Sequence, residues 1–504
     1  MSTVACDNQD SAGTEPISGG DILLVGEIDW SMPDRFGLDA NEDGLIDIPN
    51  TAEYLLNVAP ATCASGCEKL TPVFTVVLDA SGVALVDAAG VQQATEAYSW
   101  VLTDESGESQ QVVSESSKTV VELPEGVQEV VLEVTAGAHR RTTETSIVVG
   151  DWLIVSIGDS YASGEGSPEI PGDPARWADA GGATDSPQAL DHDVAHRSGL
   201  AGSAQAALAI ERADPRSSVT YVSLAASGAE IEEGMLSAPG AATGGDGDGH
   251  TLRPQVEELA DLMGCASGGA GTCLRTIDTL MISAGGNDIG FAFTVGSLIA
   301  LDPLLVVNPI YQNLLDNLVA DVGEDIDALP ALFDQLGDAL SAIAIDQILL
   351  TGYPGSSTVA VDGRIVTCDE IGGDLIPGLE VDQDELNVVR EGLLVPLNDT
   401  LEAVADAQGW VFVDSHVSAF EGHGYCGSDP YGGQGFSGNP FPEDVAANND
   451  PGVRWFRRAA ESAAIQGGGG LLQPERLATS GTFHPNEFGH QAYKTALLEV
   501  LDRL

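Results

Sequence analysis

Apolar positions along the chain change their pattern near residue 150. From about Thr71 to Val149 they come as short β-branched runs, Pro72–Leu78, Tyr98–Leu102, Thr119–Leu123, Glu129–Val134 and Thr145–Val149, separated by polar turns. Runs of that length and spacing predict a small all-β sandwich over residues 70–150, with Trp100 as its natural core residue. After Gly150 the runs Trp152–Ile157, Val219–Leu224, Thr279–Ser283, Gln347–Leu350 and Trp410–Val413 lie far enough apart to be joined by crossover helices. That alternation predicts an α/β domain over 151–504 with about five parallel strands. Its last helix is legible as one apolar stripe made by Phe488, Ala492, Tyr493, Ala496, Leu497, Val500 and Leu501.

Ahead of the sandwich, residues 1–20 are polar and rich in Gly and Ser, the composition of a flexible tail. Residues 21–69 contain Asp39, Asn41, Asp43 and Asp47 at loop positions 1, 3, 5 and 9, with Gly44 at the sharp turn and Leu45 placed to offer its carbonyl. Alternating oxygen ligands around a turn glycine predict a structural Ca²⁺ site. Asn50 stands at position 12, where a bidentate glutamate is usual, so the affinity should be lowered. The loop is similar to dockerin-like and other bacterial single-loop calcium motifs.

Charge narrows the partners. The chain has 504 residues, 78 acidic against 19 basic, for a formal net charge of −59, and its only lysines are Lys69, Lys118 and Lys494. Such a surface repels nucleic acid and anionic membranes. Its self-repulsion is tolerated best where salt screens it, which predicts a saline or halophilic habitat. The seven cysteines include two close pairs, Cys63 with Cys67 and Cys265 with Cys273, and a wider candidate pair, Cys368 with Cys426. No zinc-type spacing accompanies them, so disulfides and an exported protein are favoured over metal binding. Cys6, in Val4-Ala5-Cys6-Asp7, is placed as a candidate lipid anchor of a bacterial lipoprotein.

In open α/β sheets chemistry collects at the carboxyl ends of the strands. The first strand runs into Gly158-Asp159-Ser160, followed by Gly164 and Gly166; the second into Ala226-Ser227-Gly228-Ala229; the third into Gly285-Gly286-Asn287-Asp288. Near the C-terminus Phe483-His484-Pro485-Asn486 places a histidine just before the last helix. A nucleophile, a backbone donor, an amide donor and a base form the set required by acyl transfer, since a serine hydroxyl attacks only when a base takes its proton and the oxyanion needs preorganised donors.

At these four blocks, across residues 151–504, the chain resembles the SGNH/GDSL hydrolase family, and the longer forms look like its secreted actinobacterial esterase and lipase branch. The resemblance implies a flavodoxin-like three-layer α/β sandwich, with Ser160 as nucleophile and first oxyanion donor, Gly228 and Asn287 as further donors, and His484 as general base. The branch's disulfides fit the pairs Cys265 with Cys273 and Cys368 with Cys426. That leaves Cys63 and Cys67 to the accessory region, which resembles Ig-like or PKD-like domains of secreted bacterial enzymes. Two positions depart from the pattern. The family commonly has an aspartate three residues before the histidine, where this chain has Gly481, which implies a Ser160/His484 dyad with a backbone carbonyl, of Gly481 or less favourably Thr482, orienting the ring. Ala195 stands where the branch tends to carry a cysteine. His196 and His490 are read as structural.

The expected function is a secreted, monomeric serine esterase or lipase acting on carboxylic esters without a catalytic metal. Polysaccharide O-deacetylation is the alternative within the same chemistry, and a calcium-dependent surface binding protein with an inactive hydrolase domain is the alternative from another class. Trp177, Tyr425, Tyr431 and Phe436, in the glycine- and aspartate-rich segments, are candidates to line a lipid, short-chain ester or acetylated-glycan pocket.

Overall fold

The computed structural model describes residues 22–33, 73–169, 193–239, 252–265, 269–273, 275–291, 309–368, 389–430, 451–458, 461–462, 465 and 480–501. Several expectations from sequence fall on positions outside the described residues. These are the anchor at Cys6, the calcium ligands Asp39, Asn41, Asp43, Leu45, Asp47 and Asn50, and the pocket candidates Trp177, Tyr431 and Phe436. Among the described residues the chain divides into two compact units, the first up to Gly150 together with Pro215–Ser217, the second the rest from Asp151 onward.

The first unit is all β. Its strands are β1 (Leu23–Val25), β2 (Asp29–Ser31), β3 (Val73–Asp79), β4 (Ala84–Val86), β5 (Ala97–Asp104), β6 (Ser109–Ser114), β7 (Lys118–Pro124), β8 (Gly126–Ala136) and β9 (His139–Val149). They pair antiparallel in a three-stranded sheet β2-β3-β7, a four-stranded sheet β6-β5-β8-β9 and a ribbon β1-β4. Alternate residues turn inward, Phe74, Val76 and Leu78 from β3, Trp100 and Leu102 from β5, Val130, Leu132 and Val134 from β8, and all join one buried cluster. Trp100 is completely buried there, as the pattern predicts. The strands not anticipated from sequence are short or polar: β6 reads Ser-Gln-Gln-Val-Val-Ser and is mostly exposed, so period-two hydrophobicity has little to report.

The second unit is an α/β sandwich. Strands β10 (Asp151–Gly158), β11 (Ser218–Ser223), β12 (Thr279–Ser283), β13 (Ile348–Thr351) and β16 (Val411–Val413) make one parallel sheet in the order β11-β10-β12-β13-β16. In chain order of the sheet strands that is 2-1-3-4-5, the flavodoxin-like arrangement. Seven of the eight residues of β10 are buried, because helices cover both faces and the strand must be apolar throughout. Each Leu, Ile or Val fully buried there contributes about 1.5–3 kcal/mol relative to exposure. Between β13 and β16 lies a hairpin, β14 (Thr358–Val361) with β15 (Arg364–Thr367), not anticipated from sequence.

The covering helices include α1 (Ser160–Ser163), α2 (Gly202–Ala213), α3 (Gln255–Leu262), α4 (Pro309–Leu340), α5 (Val395–Gln408), α6 (Ser415–Ala419) and α7 (Glu487–Leu501). In α4, Val322, Ile326, Leu329, Phe333, Leu336 and Leu340 are buried at alternating four- and three-residue steps, one stripe facing the sheet. On the other face α2 and α7 pack closely because Gly202 has no side chain: a Cβ there would sit 2.4 Å from the Cβ of Tyr493.

Disulfides join Cys265 to Cys273 and Cys368 to Cys426, both pairs expected from the sequence. The third expected bridge, from Cys63 to Cys67, falls outside the described residues. That pairing therefore stays an expectation from sequence. No helix among the described residues is long and apolar enough to cross a membrane.

Candidate active site

The carboxyl end of β10 is built around one glycine. Gly158 has φ +124°, and a Cβ on it would stand 1.9 Å from the Ser283 carbonyl of β12, so no other residue fits there. Its backbone is held on both sides: Gln255, at the start of α3, accepts from its N–H at 2.7 Å and donates to its carbonyl at 2.8 Å. The N–H of Ala226 also reaches that carbonyl, and the N–H of Asp159 donates to Ser283. Three strand exits are thereby tied together by main chain.

Asp159 caps α1 through a bond from the N–H of Tyr161 at 3.0 Å. Its other carboxylate oxygen accepts from the Tyr353 hydroxyl, which itself accepts from the N–H of Gly286 at 3.2 Å. Burial pushes the Asp159 carboxyl up to about 6 against the pull of these donors. Ser160 opens α1 and is 7% exposed. As first residue of the helix its N–H has no intrahelical acceptor, and among the described residues no bond is recorded for it or for the N–H of Gly228. Gly228 has φ +79°, and its turn is supported by Arg197, which donates to the carbonyls of Ala225 and Leu224 at 2.7 and 2.9 Å. Asn287 donates one Nδ2 hydrogen to the Ala229 carbonyl at 2.9 Å, leaving its second for another acceptor. Ser160, Gly228 and Asn287 are thus brought to neighbouring exits of one sheet.

His484 arrives from the far end of the chain, and its Nε2 lies 2.7 Å from Ser160 Oγ. Nδ1 faces the Thr482 carbonyl at 3.2 Å. Gly481 is the orienting carbonyl preferred from sequence, but its oxygen accepts the backbone N–H of His484 at 3.0 Å. The turn tightens by one residue because Phe483 adopts φ +64°, which brings Thr482 under the ring. A carbonyl can only accept, so the proton sits on Nδ1 and Nε2 carries the lone pair toward Ser160. Burial lowers the proton affinity of His484, and the charge of Glu165 opposes that effect.

Side chains fasten this turn to the nucleophile loop. Tyr161 donates to the Phe483 carbonyl at 2.9 Å and Ser167 to the Pro485 carbonyl at 3.3 Å. Arg457, 2% exposed, donates from Nε to the Gly166 carbonyl at 2.7 Å and pairs with Glu487 at 2.5 Å. Its main chain brackets the same turn, donating to the His484 carbonyl and accepting from the N–H of Phe483. Asn486 caps α7, its side-chain oxygen accepting from the N–H groups of Phe488 and Gly489. Sequence reasoning finds Ser160, Gly228, Asn287 and His484 and misses Gln255, Tyr353 and Arg457, which sit in stretches without motif character. The trace of Arg457 in the sequence is a local cluster of arginines, Arg454-Trp455-Phe456-Arg457-Arg458, in a chain poor in basic residues. His196 and His490 are both held in the packing: Nδ1 of His196 lies 2.5 Å from Glu165, and His490 is buried in α7.

No family model matches the sequence, and no curated protein is similar to it. Among solved structures, the chain has a likeness to an extracellular lipase from Streptomyces rimosus, at 19% identity over 69% of this chain and 99% of that one, with a TM-score of 0.40. A phospholipase A1 from Streptomyces albidoflavus matches at 16% identity over 69% and 98%, with a TM-score of 0.37. A family two carbohydrate esterase from Clostridium thermocellum matches at 11% identity over 86% and 91%, with a TM-score of 0.26. Likenesses at this level are too weak to assign an activity, and the fold rests on the strand order of the sheet.

Proposed function

We propose that the protein is a serine hydrolase of carboxylic esters. The observation that carries this reading is the 2.7 Å approach of His484 Nε2 to Ser160 Oγ at the carboxyl end of a buried parallel strand. In the proposed cycle Ser160 Oγ attacks the ester carbonyl carbon as its proton passes to His484 Nε2. The carbonyl oxygen becomes an oxyanion and receives hydrogen bonds from the N–H groups of Ser160 and Gly228 and from Asn287 Nδ2; each such donor is worth about 2.7–4 kcal/mol in the barrier. His484 then gives its proton to the leaving alkoxide, and the alcohol departs. Water, deprotonated by the same nitrogen, attacks the acyl-enzyme; collapse releases the acid and returns the proton to Ser160.

Lipid and short-chain esters are the proposed substrates, with polysaccharide O-deacetylation as the alternative. The disulfides fit an exported protein. The test is a chain-length series of p-nitrophenyl esters run beside acetylated xylan. The expected result is ester turnover that Ser160→Ala lowers by at least about 1,000-fold with the melting temperature unchanged. Full activity in that variant would reject the nucleophile, and preference for acetylated xylan would favour the deacetylase reading.

A further inference from the structure

The carboxylate that the Gly481 position lacks is present a short way off, bonded to Ser480 beside it. Glu165 lies in the nucleophile loop between Gly164 and Gly166, and its side chain is completely buried. One oxygen accepts from Ser480 Oγ at 2.8 Å, and the other lies 2.5 Å from His196 Nδ1. Ser480 begins the turn that ends at His484, so this bond ties the base-bearing turn to the loop that carries the nucleophile. The next residue shows how tight the junction is: a Cβ on Gly166 would stand 3.2 Å from the Cβ of His484 and 3.3 Å from the Gly481 carbonyl.

A buried carboxylate is costly unless its surroundings favour the ion. Burial opposes ionisation of Glu165, yet His196 first, and then His484 and Ser480, outweigh it and bring the carboxyl down to about 2. The residue is therefore an anion at every pH at which an ester hydrolase works, beside an imidazole that must become a cation in mid-reaction. The charged or titratable groups around His484 are Glu165 and His196 on the nucleophile side, Arg457 beneath the turn, Tyr161 against the ring and His490 from α7. Among the described residues, Glu487 is engaged by Arg457, and Glu165 is the carboxylate whose charge acts on His484.

We propose that Glu165 is a positioning residue for His484: anchored between Ser480 and His196, it fixes the turn carrying the base and supplies the negative charge that favours the imidazolium. The role rests on the reading of His484 as the general base. It divides between two sites what a family aspartate would do alone, with the Thr482 carbonyl orienting the ring and Glu165 providing the charge.

The test titrates His484 in the full chain by NMR of isotope-labelled histidine, assigned through His484→Gln, beside the pH profile of p-nitrophenyl acetate hydrolysis. Glu165→Gln should lower the His484 midpoint by roughly one pH unit, a tenfold loss of proton affinity, move the acid limb of kcat/KM the same way and reduce kcat by about 10- to 100-fold with little change in KM. Glu165→Asp keeps the charge and should retain the midpoint while losing part of kcat, and it carries the test if the glutamine variant does not fold. An unchanged midpoint in Glu165→Gln, or a midpoint displaced in Glu165→Asp as far as in Glu165→Gln, would overturn the proposal. Absence of turnover in the unmodified protein would instead reject the hydrolase reading, while the titration still reports on Glu165.

Discussion

The two halves of the site are secured in different ways. The nucleophile turn is gripped through its own main chain: a parallel ladder delivers it, Gly158 seats it against the Ser283 carbonyl, and the Gln255 side chain closes both of its backbone groups. The histidine turn has no strand of the sheet beneath it: backbone bonds to Arg457 bracket it, and side chains of Arg457, Tyr161, Ser167 and Glu165 brace it. Backbone seating tolerates few substitutions and fails as a whole, whereas side-chain bracing can be loosened one contact at a time.

Replacing Gly158 by alanine should break the first kind of seating outright. The new Cβ would overlap the Ser283 carbonyl in a left-handed backbone region, and a loss above about 4 kcal/mol is expected, read as failure to give a folded product or a collapsed urea midpoint. A stable, active alanine variant would show that the strand exits can separate. Arg457→Met probes the other side. It removes the cation of a buried pair with Glu487 and the donor to Gly166, which should cost about 3–5 kcal/mol and, by loosening His484, lower kcat/KM more than it raises KM. Equal activity with lower stability would make Arg457 a packing element only.

The two acids of the nucleophile loop set the pH behaviour of each half in opposite directions. Burial raises the Asp159 carboxyl to about 6, so its contribution to stability is full below the unfolded value near 3.8 and fades as pH rises through 6. Glu165 is lowered to about 2, so its contribution is full above the unfolded value near 4.5 and is lost as pH falls toward 2. Each swing amounts to about 3 kcal/mol. Relative to the parent, Asp159→Asn should therefore gain stability from pH 4 to pH 7, and Glu165→Gln should lose it over pH 2 to 5. Parallel denaturation curves at all pH values would refute both assignments. The smallest effect on the site concerns the Asp39–Asn50 loop, proposed as a structural Ca²⁺ site: a chelator should lower the melting temperature and leave kcat/KM unaltered, and an unmoved melting curve would count against the metal.

The parallel sheet is legible because its strands are buried on both faces and announce themselves as continuous β-branched runs, as Trp152–Ile157 does. The nucleophile and oxyanion candidates are legible for a related reason: a strand exit demands glycine, so chemistry-bearing residues stand out between Gly158, Gly228 and Gly286. The brace around His484 is not, since an arginine that binds a carbonyl carries no local periodicity and that carbonyl, of Gly166, is 291 residues away. The orienting carbonyl falls one residue later than the sequence suggests because a positive φ at Phe483 cannot be read from a residue type that rarely adopts it. Hairpin β14-β15 escapes notice because its strands are only four residues each.

The separation of 324 residues between Ser160 and His484 also orders events in time. Contacts so distant form late, after local elements have collapsed, and in a chain made from its N-terminus His484 is added long after Ser160. Until then the Ser160 hydroxyl has no imidazole beside it to take its proton. The proposed Ser160–His484 pair is thus absent until two segments far apart in sequence have come together.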